Sequence, residues 1–216
     1  MRRRGPHPPV TWRGLPVVGL VVLLVVMTGC LGVFGGEGLR FTADPVTIDD
    51  RTVAEAGFER VGTDTLEFER TVGSGDASTS VVVSSHVVTL RRQYRGAPIG
   101  HVVAVSSPKA TVLGRSVNPL GMVGSQELVE RVLGQSTDGE VDGLERTGNV
   151  SMRSLGAERT VGRFDASGDG GAVQVYLTRF EHGDDYVIVF GVIPDGAEGG
   201  TDAFRTVLAG VRHDGT

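Results

Sequence analysis

From Gly14 to Gly36 the chain carries no charged residue. These 23 positions are enough for a helix to cross a hydrocarbon core of roughly 30 Å. They separate a basic start, with Arg2, Arg3, Arg4 and Arg13, from the region that must fold. The apolar run weakens at Met27-Thr28-Gly29, just before Cys30, the only cysteine. A basic beginning, an apolar middle and small residues at its end are the layout of an export signal. An uncleaved anchor helix is the alternative, with Cys30 as one more small buried hydrophobe. Both readings keep the basic end inside and place residues 37–216 outside.

The four residues Met27-Thr28-Gly29-Cys30 resemble the lipobox of prokaryotic lipoproteins. Met27 departs mildly from the branched residue expected first, while Thr28, Gly29 and Cys30 fit. The resemblance implies that the Cys30 sulfur is alkylated by a lipid and that a peptidase cleaves before it, which small neighbours permit. Arg3-Arg4 suits a twin-arginine route, but Gly5-Pro6-His7-Pro8-Pro9 lacks the apolar continuation, so the export route stays open. The expected layout is a signal peptide over 1–29, a lipidated Cys30 with a Gly-rich tether to residue 38, and one extracytoplasmic domain over 39–216. A tether from Leu31 to Gly38 reaches roughly 25 Å at about 3.3 Å per residue, which keeps the domain near the bilayer. The expected location is the outer face of the cell membrane, with the lipid as the membrane contact.

Beyond residue 29 there are 26 acidic side chains against 17 basic ones, with the four arginines of the first segment set aside, a formal charge of −9. That balance disfavours a nucleic-acid partner, which needs a basic face. Lys109 stands alone among 20 arginines. Few lysines and many carboxylates suit a salt-loving archaeal host, where screening lengths fall to about 3 Å near 1 M salt. A GC-rich genome also replaces Lys with Arg. With one cysteine there is no disulfide framework, cysteine metal site or thiol redox pair within the chain.

Periodicity then places elements. Leu39 to Ala43 reads as a short strand. Ile48 to Phe58 is a punctuated helix, with Asp49 as N-cap, Ile48 and Val53 as staple, and Gly57 at the left-handed end. Thr65 to Val72 alternates, with Leu66, Phe68 and Val72 on one face, as a half-buried strand does. Thr79 to Tyr94 is β-branched on both faces, like a central strand, and Ile99 to Ser107 follows it. Ser125 to Leu133 reads as a helix capped by Ser125. Thr137 to Gly143 is an acidic loop. Strands follow at 145–152 and 157–164. The clearest unit is a hairpin, Ala172 to Glu181 and Tyr186 to Pro194 about the turn His182-Gly183-Asp184-Asp185. Asp202 to Val211 closes as a helix. The expectation is an α+β domain: a mainly antiparallel sheet of about seven strands, with two to three helices on one side.

Few residues suggest chemistry. His182, Asp184 and Asp185 are candidate metal ligands, since imidazole and carboxylates together suit a metal, but Gly and Asp between alternating runs are turn chemistry. Asp165 to Gly170 mimics the first half of a calcium loop, yet Tyr176 stands where a bidentate Glu is required, so a hairpin turn is expected. Pairing about Arg95-Gly96 sets His101 opposite a residue near Arg91, away from His86, so these two histidines share no metal. Asn149-Val150-Ser151 is an acceptor sequence for glycosylation, with Asn149 as the candidate. No catalytic residue or cofactor is assigned: there is no G-x-S-x-G elbow, no H-E-x-x-H and no P-loop.

"FTADPVTIDD", "SSPKATVLGRSVNPLGM", "EHGDDYVIVFGV" and "LAGVRH" together resemble an uncharacterised family of haloarchaeal lipoproteins, over nearly the whole length. That resemblance implies a location and no activity. The strand order also resembles PsbP-like sandwiches, which are exported or lumenal accessory proteins. The expected function is a lipid-anchored, non-enzymatic binding or accessory module, with a membrane protein or a small solute as partner. The alternative is a surface enzyme, a hydrolase or metal-dependent, with an unrecognised site.

Overall fold

A computed structural model of the protein describes residues 38–74, 78–94, 97–136, 142–168 and 171–215. Every described residue lies in one compact unit, Gly38–Thr216. Its elements are β1 (Leu39–Thr42), β2 (Val46–Ile48), α1 (Asp50–Glu55), β3 (Glu59–Val72), β4 (Thr79–Tyr94), β5 (Ala97–Pro108), β6 (Thr111–Val112), β7 (Arg115–Ser116), α2 (Pro119–Met122), α3 (Ser125–Ser136), β8 (Asp142–Ser154), β9 (Ala157–Gly168), β10 (Gly171–His182), β11 (Asp185–Pro194), α4 (Gly200–Ala209) and β12 (Val211–His213). Among the described residues no helix is long and apolar enough to cross a membrane.

The α+β expectation is overturned. Among the described residues the domain is mostly β, with 62% in strands and 18% in helices, built on a mixed sheet of eight strands with four short helices. Most strands outrun their sequence signal: β3, β5 and β8 to β10 have 12 to 14 residues each, whereas β4 spans Thr79–Tyr94 as expected. The sheet runs β3-β4-β5-β11-β10-β9-β8 by antiparallel pairs, with β1 parallel to β4. One edge of β4 pairs with β3. The other is shared: β5 takes His86 to Tyr94, and β1 takes Val81 to Ser84. Pro108 ends β5, and proline has no N–H to continue a ladder.

The helices also cover both faces of the sheet rather than one. On one face, α1, α4 and a small ribbon of β2 with β12 bury Val88, Leu90, Tyr176 and Val189. Tyr176 stacks on Phe204 of α4, ring centroids 5.0 Å apart. On the other face, Leu128, Val129 and Leu133 of α3 pack on Phe164, Leu177 and Phe190. The β6–β7 hairpin brings Val112 onto Val81 and Val83 of β4. A β-strand presents alternate residues to opposite faces, so β11 feeds both cores, with Val187 and Val189 in one and Ile188 and Phe190 in the other.

Local signals explain the helix ends. Asp49 accepts the Thr52 N–H at 2.8 Å. At the other end Gly57 takes φ +72°. Phe58 N–H reaches Val53 O and Gly57 N–H reaches Ala54 O, both at 2.9 Å, the pairing of a Schellman motif. Helix α3 begins at Ser125 itself, and Leu128 N–H bonds to Gly124 O, so Ser125 lies inside the first turn rather than capping it. Helix α4 begins at Gly200 and ends at Ala209, and Val211 starts β12 instead of closing the helix.

Candidate functional site

The β10–β11 turn forms where the sequence puts it. His182 and Asp185 are register partners, and Gly183 between them takes φ +58°, as a II′ turn asks of its first central residue. The side chains of the turn then part. Asp184 is exposed, and its backbone carbonyl accepts the Lys109 N–H at 2.8 Å. Asp185 is buried at 4% exposure. Its Oδ2 accepts the Asp44 N–H at 2.8 Å and meets His213 Nε2 at 3.0 Å.

His213 comes from β12, far along the sequence from β2, the strand it pairs with. Its Nδ1 lies 3.0 Å from His182 Nδ1 and accepts the Gly215 N–H at 3.2 Å. An acceptor at Nδ1 leaves the proton of a neutral imidazole on Nε2, pointed at Asp185. The two rings meet at their Nδ1 atoms and cross edge to face, with centroids 5.2 Å apart. The result is a chain from the Asp44 amide through Asp185 and His213 to His182. Its facing atoms satisfy one another, and it ties the β1–β2 connection and β12 to the sheet. Among the described residues no group of three or more His, Cys, Asp or Glu is placed to hold a metal ion. Of the three candidate ligands, His182 and Asp185 are joined through His213, and Asp184 stands apart.

A cleft of about 330 Å³ opens beside this chain, lined by Phe41, Thr42, Pro108, Lys109, Thr111, Asp184 and Asp185. The lone lysine at its rim pairs with Glu181 at 3.2 Å. Below, Ser106 Oγ donates to Asp44 O at 2.5 Å and accepts the Val46 N–H at 3.2 Å.

The remaining sequence candidates are dispersed. His101 pairs with Arg91, and His86 with Ser106, in the β4–β5 register, so the two histidines are apart as the turn placement requires. Burial by its neighbours, and then the Arg91 guanidinium, hold the His101 imidazole below its ordinary pKa, although part of the ring stays exposed. Asp165 sits on β9 opposite Gln174, in a strand rather than a loop; residues 169–170 lie outside the described residues. Asn149 is exposed on the edge strand β8, where its Oδ1 accepts from Arg146 Nη2 at 2.7 Å. Met27, Thr28, Gly29 and Cys30 lie outside the described residues.

Strand β3 departs most from expectation. Read as half-buried, it forms an edge of the sheet and is exposed along nearly its whole length. Leu66 is 59% exposed and Phe68 43%. Several of its charges are held: Glu67 by Arg40 at 2.5 Å, Glu59 by Arg91 at 3.1 Å, and Glu69 by Ser80 Oγ at 2.5 Å. Arg40 and Ser84 bonds keep the Glu67 carboxyl below its ordinary pKa. Alternation locates the apolar face of a strand, but not whether another layer covers it, so sequence alone could not separate this edge from a buried strand.

No curated protein and no solved structure matches the chain. A family model described as a domain of unknown function, DUF6517, matches residues 45–212, a span that takes in β2 to β11, α4 and most of β12. The chain therefore belongs to the DUF6517 family.

Proposed function

We propose that the protein is a lipid-anchored module on the outer face of the cell membrane, and that it works by binding rather than by catalysis. The anchor rests on the sequence around Cys30 and on the start of the folded unit at Gly38, only eight residues further on. One lysine against 20 arginines, with the acidic balance of the domain, fits a haloarchaeal host.

The observation that carries the binding role is the outer edge of β3. Natural sheets blunt their edges with bulges, short strands, charged side chains or covering loops; on β3 the carboxylates of Glu59, Glu67 and Glu69 are already held within the domain. The opposite edge strand, β8, is broken by two register shifts, between Asp142 and Glu145 and between Arg146 and Gly148. Strand β3 has one shift, near its start, and then runs unbroken from Gly62 to Val72. Among the described residues no strand pairs with its outer edge. An extended backbone added there gains main-chain hydrogen bonds, while Leu66 and Phe68 supply apolar contact.

The test is a photo-crosslinking residue at Thr63 on β3, with the same residue at Thr147 on β8 as control, in intact cells. Adducts at Thr63 that are missing at Thr147 are the expected result. Adducts at neither position, or at Thr147 alone, contradict the assignment of β3.

A further inference from the structure

Resting on that reading of β3 as a binding edge, we propose that its partner is β3 of a second copy of the chain, paired antiparallel about a two-fold axis at Glu67. Asp64, Leu66, Phe68 and Arg70 lie on one face of the strand, opposite Val87, Ser85, Val83 and Val81 of β4. Asp64 and Arg70 have no ion-pair partner among the described residues. The four residues read acid, apolar, apolar, base, placed evenly about Glu67.

A strand with that order is complementary to its own reverse. A two-fold axis perpendicular to the sheet keeps each face continuous across the join, so residues of one face meet residues of the same face. With the axis at Glu67, Asp64 faces the second copy's arginine at position 70, and Leu66 faces its phenylalanine at position 68. Both contacts occur twice. On the other face Thr63 meets a threonine and Thr65 meets a glutamate, pairs that hydrogen-bond across strands. The central Glu67 meets its own copy, and each of these carboxylates is already held by an Arg40.

Other registers lose this match. An axis at Leu66 sets Asp64 opposite phenylalanine. An axis at Phe68 sets Leu66 opposite arginine and Glu67 opposite glutamate. Exposed ion pairs contribute little in molar salt, so the charges select the register. The backbone bonds and the Leu66–Phe68 contacts hold the two copies together.

Disulfide trapping of the full chain in its native membranes tests the proposal. Glu67→Cys puts two thiols across the axis, within cross-strand reach, and should give a covalent dimer under mild oxidant. Thr65→Cys alone faces glutamate and should not, whereas the double variant Thr65→Cys with Glu69→Cys should. The unsubstituted chain reports any dimer formed through Cys30, so the result does not depend on the fate of that thiol. Arg70→Asp sets two carboxylates opposite each other and should weaken the non-covalent dimer of the detergent-extracted chain at low salt, where the charges are least screened; adding Asp64→Arg should restore it. A Glu67→Cys variant that stays monomeric, or a Thr65→Cys variant that crosslinks equally well, overturns the proposal. Should Thr63 capture a different protein while Glu67→Cys stays monomeric, the second-copy proposal falls and the binding edge stands.

Discussion

Asp185 and His213 face each other at 3.0 Å between Oδ2 and Nε2, with both side chains almost wholly withdrawn from water. The carboxylate also holds the Asp44 amide, so two segments from opposite ends of the domain hang on one side chain. Asp185→Ala strands a buried imidazole N–H and a backbone N–H together. Each unsatisfied buried group costs roughly 1–3 kcal/mol, so the variant should lose about 2–6 kcal/mol. The exposed neighbour gives the contrast: Asp184→Asn should stay within about 0.5 kcal/mol of the parent. Denaturant midpoints of both variants check this. Equal small losses would mean that the chain of contacts through His213 carries little stability.

Gly191 lies on β11 beneath α4. A Cβ there would sit 2.5 Å from Phe204 Cδ2, and Phe204 is fully buried against Tyr176, so the ring has little room to yield. Gly191→Ala should therefore destabilise the domain by about 1–3 kcal/mol, the usual cost of overpacking, despite the higher strand propensity of alanine. Thermal melting decides it. A neutral or stabilised variant would show that α4 shifts freely on the sheet.

His101 links the β4–β5 register to pH. Its folded-state pKa is lowered, first by burial and then by Arg91, so folding favours the neutral ring. The stability this residue allows is complete above its unfolded value of about 6.5. It falls as pH drops below that value, because the unfolded chain takes up the proton more readily. Stability curves for the parent and His101→Gln should run parallel above pH ~7.5 and draw apart in the mildly acidic range, with the parent losing more. Curves that stay parallel throughout would remove His101 from the pH response.

The parts legible in the sequence are those that local chemistry decides. Asp49, Gly57 and Phe58 mark both ends of α1 within ten residues. Gly183 fixes the β10–β11 turn, and the position of the β4–β5 turn was enough to pair Arg91 with His101. What stayed hidden depends on distant partners. Strands β2 and β12 have three residues each and are far apart in the sequence although they pair, too short for any periodicity to show. His213 was missed for that reason, although it completes the link between His182 and Asp185. The helices were assigned to one side because amphipathic faces do not say which face of a two-sided sheet they will meet. Leu66 and Phe68 alternate like core residues, and only the strand order shows that they lie at an edge.

Intact-mass analysis of the protein extracted from its native membranes tests the proposed lipid anchor most directly. The predicted species begins at Cys30, lacks residues 1–29 and carries the added mass of lipid. A Cys30→Ser variant should accumulate as the unprocessed precursor. A membrane form of the natural sequence that still carries Arg2 to Gly29, with no lipid mass on Cys30, would contradict the lipid anchor and leave the segment from Gly14 to Gly36 as the means of attachment.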